Sequence, residues 1–353
     1  MNPFRIEKRK ICFFPFGYII FKIILKIIVI YLFILFPHII YINKIKIKKT
    51  YVYLNKNIKK KIQTNLKVAL CTMGRTENLY AKEFVDYYLK LGINHIFIYD
   101  DNEPNTEKIS NVISQNNKDK VTIFENINNT IKNQPSAFTD CYEKNKLKYD
   151  WFLMIDMDEF IYLREYNRIN EYLSNKIFDK CDIIKLHRAQ STDNDLIHYE
   201  NKSLFERFKP PYLGDHFIKS LIRGNISGLK YGVHSPRKAP LKNISCINNG
   251  QRILKTEVNS LSVNPMNFDK AFLIHFRYKS TEEFISKYKR GYRNWFASRL
   301  KNYLNHHIYL YFQQNKITLE KINFIEKELN IKLRLIKLNY YLSKFFLLNI
   351  IKE

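Results

Sequence analysis

The segment of the sequence richest in chemically useful side chains is an acidic cluster at residues 156–159. It reads Asp-Met-Asp-Glu and lies between two apolar runs, WFLMI and FIYL. Carboxylates this close repel one another unless a cation neutralises them. Alternation along an extended chain predicts that Asp156 and Asp158 share one side while Met157 faces the other. Carboxylate oxygens suit Mg²⁺ or Mn²⁺, and such an ion commonly binds diphosphate oxygens as well, so the cluster predicts a divalent metal cofactor.

The acidic cluster follows the fourth of a series of apolar runs that alternate with amphipathic segments. The runs predict strands at 67–72, 95–100, 121–126 and 151–156, and the segments between them predict helices at 78–91, 106–114 and 136–147. Alternating strands and helices predict a Rossmann-like α/β fold with a mostly parallel sheet flanked by helices. Ligands of such sheets bind at the carboxyl ends of the strands, so the residues that follow each strand are the candidates for a site.

Polar residues follow the first two predicted strands as well as the fourth. Residues 72–77 read Thr-Met-Gly-Arg-Thr-Glu, and Asp100 and Asp101 end the second strand. A solvated acidic rim is the alternative interpretation of any one such cluster. Because three clusters share one predicted edge, the pattern favours a binding site.

Four stretches of the chain together resemble the GT-A-fold glycosyltransferases, in particular family 92 and its family 2 relatives. They lie within residues 67–292 and read ALCTMGRTENLYAKEFVDYYLKLGINHIFIYDDNE, WFLMIDMDEFIYL, FIKSLIRGN followed by YGVHSP, and FLIHFRYKSTEEFISKYKRG. The second resembles the Asp-x-Asp motif of the family, and the last resembles its His-containing element. Phe276 stands where this element usually has tyrosine, and Thr76 stands where the first turn usually has asparagine.

The resemblance implies metal-dependent transfer of a sugar from a nucleotide sugar to a hydroxyl acceptor on a glycan or glycoconjugate. It implies three metal ligands, Asp156, Asp158 and His275, with Asp156 also contacting the ribose. It implies that the nucleotide is surrounded by a set of residues at the strand ends: Thr72, Arg75, Glu77, Asp100 and Asp101.

A catalytic base of an inverting reaction is a carboxylate within hydrogen-bond reach of the acceptor hydroxyl. The stretch 187–208 lies where such enzymes place acceptor-side residues, and Asp193 and Asp195 are its candidates. A polar loop is the alternative interpretation. Further candidates for contact with phosphate or acceptor are Lys219, His234 and Arg237, each of which could equally be a surface charge.

The N-terminal region predicts a single-pass membrane anchor. Residues 11–42 are strongly apolar and are interrupted by Lys22 and Lys26, and the run reaches the roughly 20 residues that span a bilayer. A buried or interfacial helix and a cleaved signal peptide are the alternatives. The predicted organisation is an anchor with basic flanks (1–48), a stem (49–66), a glycosyltransferase domain (67–294) and a C-terminal helical region (295–353).

The charge of +26 does not indicate nucleic-acid binding. Residues 1–66 contain 14 Lys and Arg against one acid, Glu7, so half of the excess surrounds the anchor, where it is attracted to anionic lipid. No nucleic-acid-binding motif accompanies it. The expected location is a membrane, in the ER or Golgi if the source is eukaryotic and the cytoplasmic membrane otherwise. The five cysteines lack C-x-x-C spacing, and a disulfide framework is not expected, with a single bridge left as the alternative; Cys71 and Cys181 are interpreted as small, buried apolar residues.

Two other functions compete with the glycosyltransferase hypothesis. A nucleotidyl or phosphosugar transferase would also use paired acids and a metal, but the first turn has one glycine, Gly74, and no phosphate-binding loop of the G-x-x-x-x-G-K type. An inactive, anchored glycan-binding or scaffold protein of the same fold is the non-enzyme alternative, which the intact Asp156, Asp158 and His275 disfavour.

Overall fold

The structure is a computed structural model that describes residues 49–58, 64–125, 127, 131, 133–238, 244–253, 262–290, 307–334, 336–338 and 340–341. The predicted membrane anchor therefore lies outside the described residues. Within those ranges, the helices are too short or too polar for any of them to cross a bilayer.

The predicted βα series forms one half of an open sheet. Its four strands lie in the order β4-β3-β2-β5, and every neighbouring pair is parallel. Their bounds are β2, Val68–Gly74; β3, His95–Asp100; β4, Val121–Phe124; and β5, Trp151–Met154. Nearly all residues of β2 and β5 are buried, as expected for strands covered on both faces. The four predicted strands are thus confirmed as one parallel unit.

Two of the three predicted helices are confirmed. Helix α1, Asn78–Leu91, buries Phe84, Tyr88 and other apolar residues, and it ends at Gly92, whose φ of 98° is the left-handed conformation that favours glycine. Helix α2, Gln134–Asn145, begins with a capping box made by Asn133 and Ser136.

The helix predicted at 106–114 is wrong. Residues 106–114 contain a 3₁₀ turn, Ile109–Asn111, in place of the helix. Another 3₁₀ turn, Gln115–Lys120, follows this stretch. The carboxylate of Asp100 accepts hydrogen bonds from the backbone N–H groups of Asn102 and Ile109, at 2.8 Å each. These bonds fix the chain close to the end of β3, so the local polar contacts outweigh the weak helical pattern.

The other half of the sheet departs from the expected parallel arrangement. The order continues as β5-β8-β7-β12-β6, with β8 antiparallel to both of its neighbours and β6 antiparallel to β12. These strands are β6, Glu159–Leu163; β7, Ile183–Gln190; β8, Tyr212–Arg223; and β12, Ala271–His275. The sheet is therefore mixed, and only its first half matches the prediction of a mostly parallel sheet.

Short elements complete the described part of the fold. Strand β1, Tyr51–Val52, pairs with β8, and strand β11, Ser245–Ile247, pairs with β7. Strands β9, Lys230–Tyr231, and β10, Pro236–Lys238, pair with each other. The remaining helices are α3, Ile169–Leu173; α4, Leu204–Arg207; α5, Thr281–Arg290; and α6, Leu319–Leu329.

The C-terminal region packs against the end of the sheet domain through its own apolar cluster. Tyr278 and Phe284 contact Tyr311, whose ring lies 4.2 Å from that of Phe284 between centroids. Ile322 and Ile325 of α6 join the same buried cluster. The described part of the C-terminal region is therefore attached to the domain through buried side chains.

Two disulfides contradict the expectation that the cysteines are free thiols. Cys71 of β2 is bonded to Cys141 of α2, and Cys181 is bonded to Cys246 of β11. Each pair is 65 to 70 residues apart in sequence. Spacing along the chain could not reveal them, because the parallel sheet and its covering helix bring the partners together.

Candidate active site

Strand pairing brings the acidic cluster and His275 together. The chain leaves β5 at Met154 and begins β6 at Glu159, so Asp156 and Asp158 lie in the connection between two strands. Strand β12 is antiparallel to β6 with His275 opposite Glu159, and the backbone N–H of Phe276 donates to the carbonyl of Asp158 at 2.9 Å. This register places His275 beside Asp158 despite their distance in sequence.

Asp158 is buried and contacts two side chains. Its Oδ1 lies 3.4 Å from Nε2 of His275, and its Oδ2 accepts a hydrogen bond from Nζ of Lys287 at 2.9 Å. Burial alone would raise the pKa of Asp158, but Lys287 and His275 hold it well below its usual value of 3.8. Burial lowers the pKa of His275 to about 4, so its imidazole is neutral near pH 7.

Asp156 is held by a different cation. Its Oδ1 accepts a hydrogen bond from Nζ of Lys219 at 2.7 Å and a short one from Nε2 of Gln134. Burial opposes ionisation of Asp156, yet Lys219 keeps its pKa below the usual value. The Lys219 side chain is fully buried, so this predicted phosphate contact is an internal counter-ion of Asp156.

A network of buried charged side chains contacts the acidic cluster. Glu159 Oε2 accepts a hydrogen bond from the Asp156 N–H at 3.0 Å and lies 3.6 Å from Nζ of Lys219. Arg188 of β7 lies 3.5 Å from Glu159 and bonds Asp215 at 2.8 Å. Burial raises the pKa of Glu159 to about 7. The network fixes the position of Asp156 because each charge has an opposite charge within reach.

A cavity of about 300 Å³ opens in front of the two aspartates and His275. Its wall contains four cationic side chains against two carboxylates: Arg188, Arg277, Lys287 and Arg290 against Asp156 and Asp158. Aromatic and imidazole rings line the remainder: Phe217, His234, Tyr278, Phe284, Tyr288 and His307. A cavity with this excess of cations favours a polyanionic ligand.

His234 and Phe217 form one wall of this cavity. Their rings are stacked with centroids 5.5 Å apart, and the Arg188 guanidinium lies 5.0 Å from the centroid of the Phe217 ring. Burial lowers the pKa of His234 to about 4, which leaves a neutral imidazole in the cavity near pH 7. Of the other phosphate or acceptor candidates, the side chain of Arg237 lies outside what the structure describes.

The residues predicted to surround the nucleotide do not line this cavity. Asp100 is buried and bonded to backbone N–H groups of its own loop. Asp101 is also buried, and its N–H donates to the carbonyl of Gly74 at 2.8 Å. Thr72 is fully buried, and its hydroxyl has no hydrogen-bond partner among the described residues. Thr72 thus lies within β2, Asp100 and Asp101 lie at the end of β3, and the Asp100 carboxylate holds the loop that follows.

Arg75 and Glu77 belong to the same turn and are engaged by other side chains. Arg75 bonds Glu103 at 2.7 Å, and Glu77 bonds the buried Lys279 at 3.2 Å. Arg290 links this turn to the cavity, because its guanidinium lines the cavity and also donates to the Arg75 carbonyl and to Oγ1 of Thr76. The nucleotide-binding roles stay predictions, and Arg290 is the described connection between the two groups.

Asp193 and Asp195, the candidate bases, lie elsewhere. Asp193 is 1% exposed, bonds Nζ of Lys321 at 2.8 Å and accepts a short hydrogen bond from the Tyr311 hydroxyl. Asp195 bonds Lys321 at 3.0 Å and the exposed Lys316 at 3.5 Å. Neither lines the cavity. These contacts attach the C-terminal region to the domain, because both carboxylates bond Lys321 of α6.

Sequence reasoning did not select Lys287, Arg188 or Arg290 as site residues. Arg188 had a usable signal, because it lies on a strand that is buried throughout, where a charge needs a partner, although Lys185 and His187 on the same strand carry that signal too. Lys287 and Arg290 had only their position on the helix that follows the His275 strand. Contact with Asp158 and with the first turn depends on where that helix packs.

The donor set fits a divalent metal in part. Asp158 is ionised and His275 is neutral near pH 7, which are the protonation states that metal binding requires, and Nδ1 of His275 is buried without a hydrogen-bond partner among the described residues. Asp156 is turned to Lys219 and Gln134. Within the described ranges, no three acidic, histidine or cysteine side chains are already grouped around one point. Metal ligation by Asp156, Asp158 and His275 stays a prediction.

The fold and the cavity define a mixed α/β protein with a cation-rich pocket beside paired aspartates at the edge of the sheet. The profile of glycosyltransferase family 92 matches residues 64–315, most of the chain. The chain belongs to glycosyltransferase family 92.

Several curated plant proteins of this family are similar to shorter parts of the chain. A family 92 protein of Ricinus communis is 31% identical over 96 residues, 27% of this chain and 17% of that protein. One of Oryza sativa subsp. japonica is 24% identical over 108 residues, 31% of this chain and 18% of its own length. One of Arabidopsis thaliana is 29% identical over 105 residues, 29% of this chain and 18% of its own length. The matched segments thus span less than a fifth of each relative.

Proposed function

We propose that the protein transfers a hexose-like sugar from a nucleotide-sugar donor to a hydroxyl group of a glycan or glycoconjugate, in a reaction that depends on Mn²⁺ or Mg²⁺. The observation that carries the proposal is the contact of Asp158 with His275, 3.4 Å apart, in a cavity with four cationic side chains. Membership of family 92 supplies the reaction class, and the cavity supplies the reason to expect a charged donor.

The side chains divide the work of binding the donor. Asp158 and His275 are the proposed metal ligands, and Asp156, fixed by Lys219, is the proposed contact for the ribose or the metal. When bound, the metal neutralises negative charge on the leaving diphosphate. Arg188, Arg277 and Arg290 line the same cavity and supply additional positive charge toward the phosphates. The turn at residues 72–77, reached by Arg290, is the proposed place of the nucleoside.

The proposed location is a membrane of the secretory pathway, with the domain on the side away from the cytosol. Two disulfides support this orientation, because disulfides persist mainly in oxidising compartments. Exposed asparagines of two N-x-S sequons, Asn201 and Asn225, are consistent with it. Attachment through residues 1–48 stays a prediction from the sequence.

A screen of nucleotide sugars with the purified full chain in detergent tests the proposed function. We expect one donor to release its nucleoside diphosphate in the presence of Mn²⁺ or Mg²⁺, with the release abolished by EDTA and accelerated by the correct acceptor. Release of nucleoside diphosphate also separates sugar transfer, which breaks the bond between the sugar and the diphosphate, from two other reactions. Nucleotidyl transfer from the same donor would release a sugar phosphate, and phosphosugar transfer would release a nucleoside monophosphate. Absence of metal-dependent release with every donor would instead favour an inactive glycan-binding protein of the same fold.

A further inference from the structure

Lys287 contacts Asp158, one of the proposed metal ligands. It projects from α5, and its Nζ donates to Oδ2 of Asp158 at 2.9 Å and to the carbonyl of Arg277 at 3.4 Å. The other oxygen of Asp158 faces His275. The ammonium group is thus the charge partner of the buried carboxylate in this structure.

A divalent ion and this ammonium group cannot both remain close to Asp158 without a cost. Metal–oxygen distances are about 2.0–2.2 Å for the ions that suit this donor set, and like charges at such spacing repel strongly. Lys287 has somewhere to go, because its side chain is 28% exposed and lines the cavity, whereas Lys219 beside Asp156 is fully buried. Of these two lysines, Lys287 is therefore the one that can yield.

The cavity offers the displaced ammonium group a new role. Arg277 and Arg290 lie on the same wall, and the cationic side chains that line the cavity outnumber the carboxylates by two. A lysine on a flexible four-carbon stem can turn from a carboxylate to a phosphate over a short distance. A metal–diphosphate complex brings both the cation that replaces Lys287 at Asp158 and the anion that Lys287 can bind.

We propose that Lys287 holds the place of the metal at Asp158 in the metal-free protein and, once the metal displaces it, binds the diphosphate of the donor. This inference rests on the proposed function, because it assumes a metal–diphosphate ligand. It predicts that one side chain weakens binding of the metal alone and strengthens binding of the phosphates. A lysine that only stabilises the fold would do neither.

Lys287→Gln is the informative variant. We expect it to bind Mn²⁺ alone on the order of tenfold more tightly, since the competing cation is gone, and to bind inorganic pyrophosphate at saturating Mn²⁺ on the order of tenfold more weakly. Electron paramagnetic resonance of free Mn²⁺ measures the first quantity, and calorimetry measures the second. Lys287→Arg, which keeps the charge, should retain weak binding of Mn²⁺ alone.

Lys289→Gln is the matched control. Lys289 is on the same helix, carries the same charge and bonds Glu328 at 2.9 Å at the surface, with half of its side chain exposed. Its removal changes net charge equally, so both affinities should stay within about twofold of the parent. Thermal denaturation of each variant without metal verifies that the chains are folded.

The outcomes separate this inference from the proposed function. If the parent chain binds Mn²⁺ and Lys287→Gln changes neither affinity, or changes both in the same direction, the placeholder role is wrong while the proposed function stands. If the parent binds neither Mn²⁺ nor pyrophosphate, both proposals fail. If Lys287→Gln does not fold, equal Mn²⁺ affinities of the parent and Lys287→Met, prepared as a second uncharged variant, would overturn the inference.

Discussion

The chain contains two Asp-x-Asp pairs whose surroundings give them different parts to play. Asp156 and Asp158 face a cavity with His275, and each contacts one lysine. Asp193 and Asp195 contact lysines too, but they do not line this cavity, and Lys321 is as buried as Asp193. The same local pattern therefore lines a cavity in one place and attaches the C-terminal region in the other.

The difference lies in what the lysines leave accessible. At the first pair, Lys287 is partly exposed and can turn away from Asp158, and the neutral imidazole of His275 lies beside the carboxylate. At the second pair, the side chain of Lys321 is 1% exposed, and the Tyr311 hydroxyl donates a hydrogen bond to the same carboxylate of Asp193. The lysine partner of Asp158 can thus be exchanged for a ligand, whereas the lysine partner of Asp193 is buried with it.

The largest expected effect is on turnover and comes from Asp158→Asn. The change removes the negative charge that would hold the metal, while the side-chain volume stays nearly the same. We therefore expect the rate of nucleotide-sugar turnover to fall by about 100-fold or more. The melting temperature should change by only a few degrees, because Lys287 is partly exposed and can turn to water. Turnover assays with a thermal melt measure both. Parental turnover in this variant would remove Asp158 from the site.

The corresponding substitution at the second pair, Asp193→Asn, should lower stability and leave turnover unchanged. Asp193→Asn leaves the buried Lys321 with only the exposed Asp195 as a carboxylate partner, and breaking a buried ion pair costs about 3 kcal/mol of unfolding free energy. Denaturant titration measures the loss. We expect the turnover of the folded fraction to equal that of the parent.

An opposite result at Asp193 would reverse the comparison. A variant with parental stability and lost turnover would support Asp193 as the catalytic base. Lys321→Met combined with Asp193→Asn is the control, since removing both charges should recover part of the lost stability if the pair is structural.

The pH dependence of stability tests the protonation state of His275. Because its pKa is about 4 in the folded protein and near 6.5 when unfolded, the unfolded chain binds more protons between these values. The contribution of the neutral imidazole to the free energy of unfolding is thus fully present above pH 6.5 and is lost as the pH falls toward 4. The loss is about 3 kcal/mol at most. His275→Asn, measured by denaturant titration in EDTA, should flatten this part of the profile.

A surface histidine supplies the control for that profile. The side chain of His198 is 69% exposed and does not line the cavity, so His198→Gln is the control for the loss of an imidazole elsewhere in the protein. If the slope of stability against pH is the same in His275→Asn as in the parent, burial does not keep the imidazole of His275 neutral.

The smallest expected effect comes from the exposed lysine of the second pair. Lys316 and Asp195 are 3.5 Å apart with side chains 72% and 51% exposed, and such surface pairs contribute at most about 0.5 kcal/mol. Lys316→Ala should therefore shift the denaturation midpoint barely beyond error. A loss comparable to that of Asp193→Asn would show that the attachment depends on the whole lysine cluster.

Periodicity predicted the parts of the fold that local sequence controls. The apolar runs of β2 to β5 and the apolar face of α1 with its terminal Gly92 follow from burial and backbone preferences, and these are set within a few residues. The 3₁₀ turn Ile109–Asn111 escaped prediction because Asp100, nine residues earlier, accepts a hydrogen bond from the N–H of Ile109 and so holds the start of the turn near β3. The antiparallel place of β8 depends on partners far along the chain.

The sequence by itself determined the series of strands and the acidic residues that follow them, because side-chain alternation and strand ends are local properties. The tertiary structure alone decided that His275 meets Asp158, that Lys287 and Lys321 reach one aspartate pair each, and that four cysteines form two disulfides. The physical reason is that a charge's partner is chosen by packing across strands and helices, where residues more than 60 positions apart become neighbours.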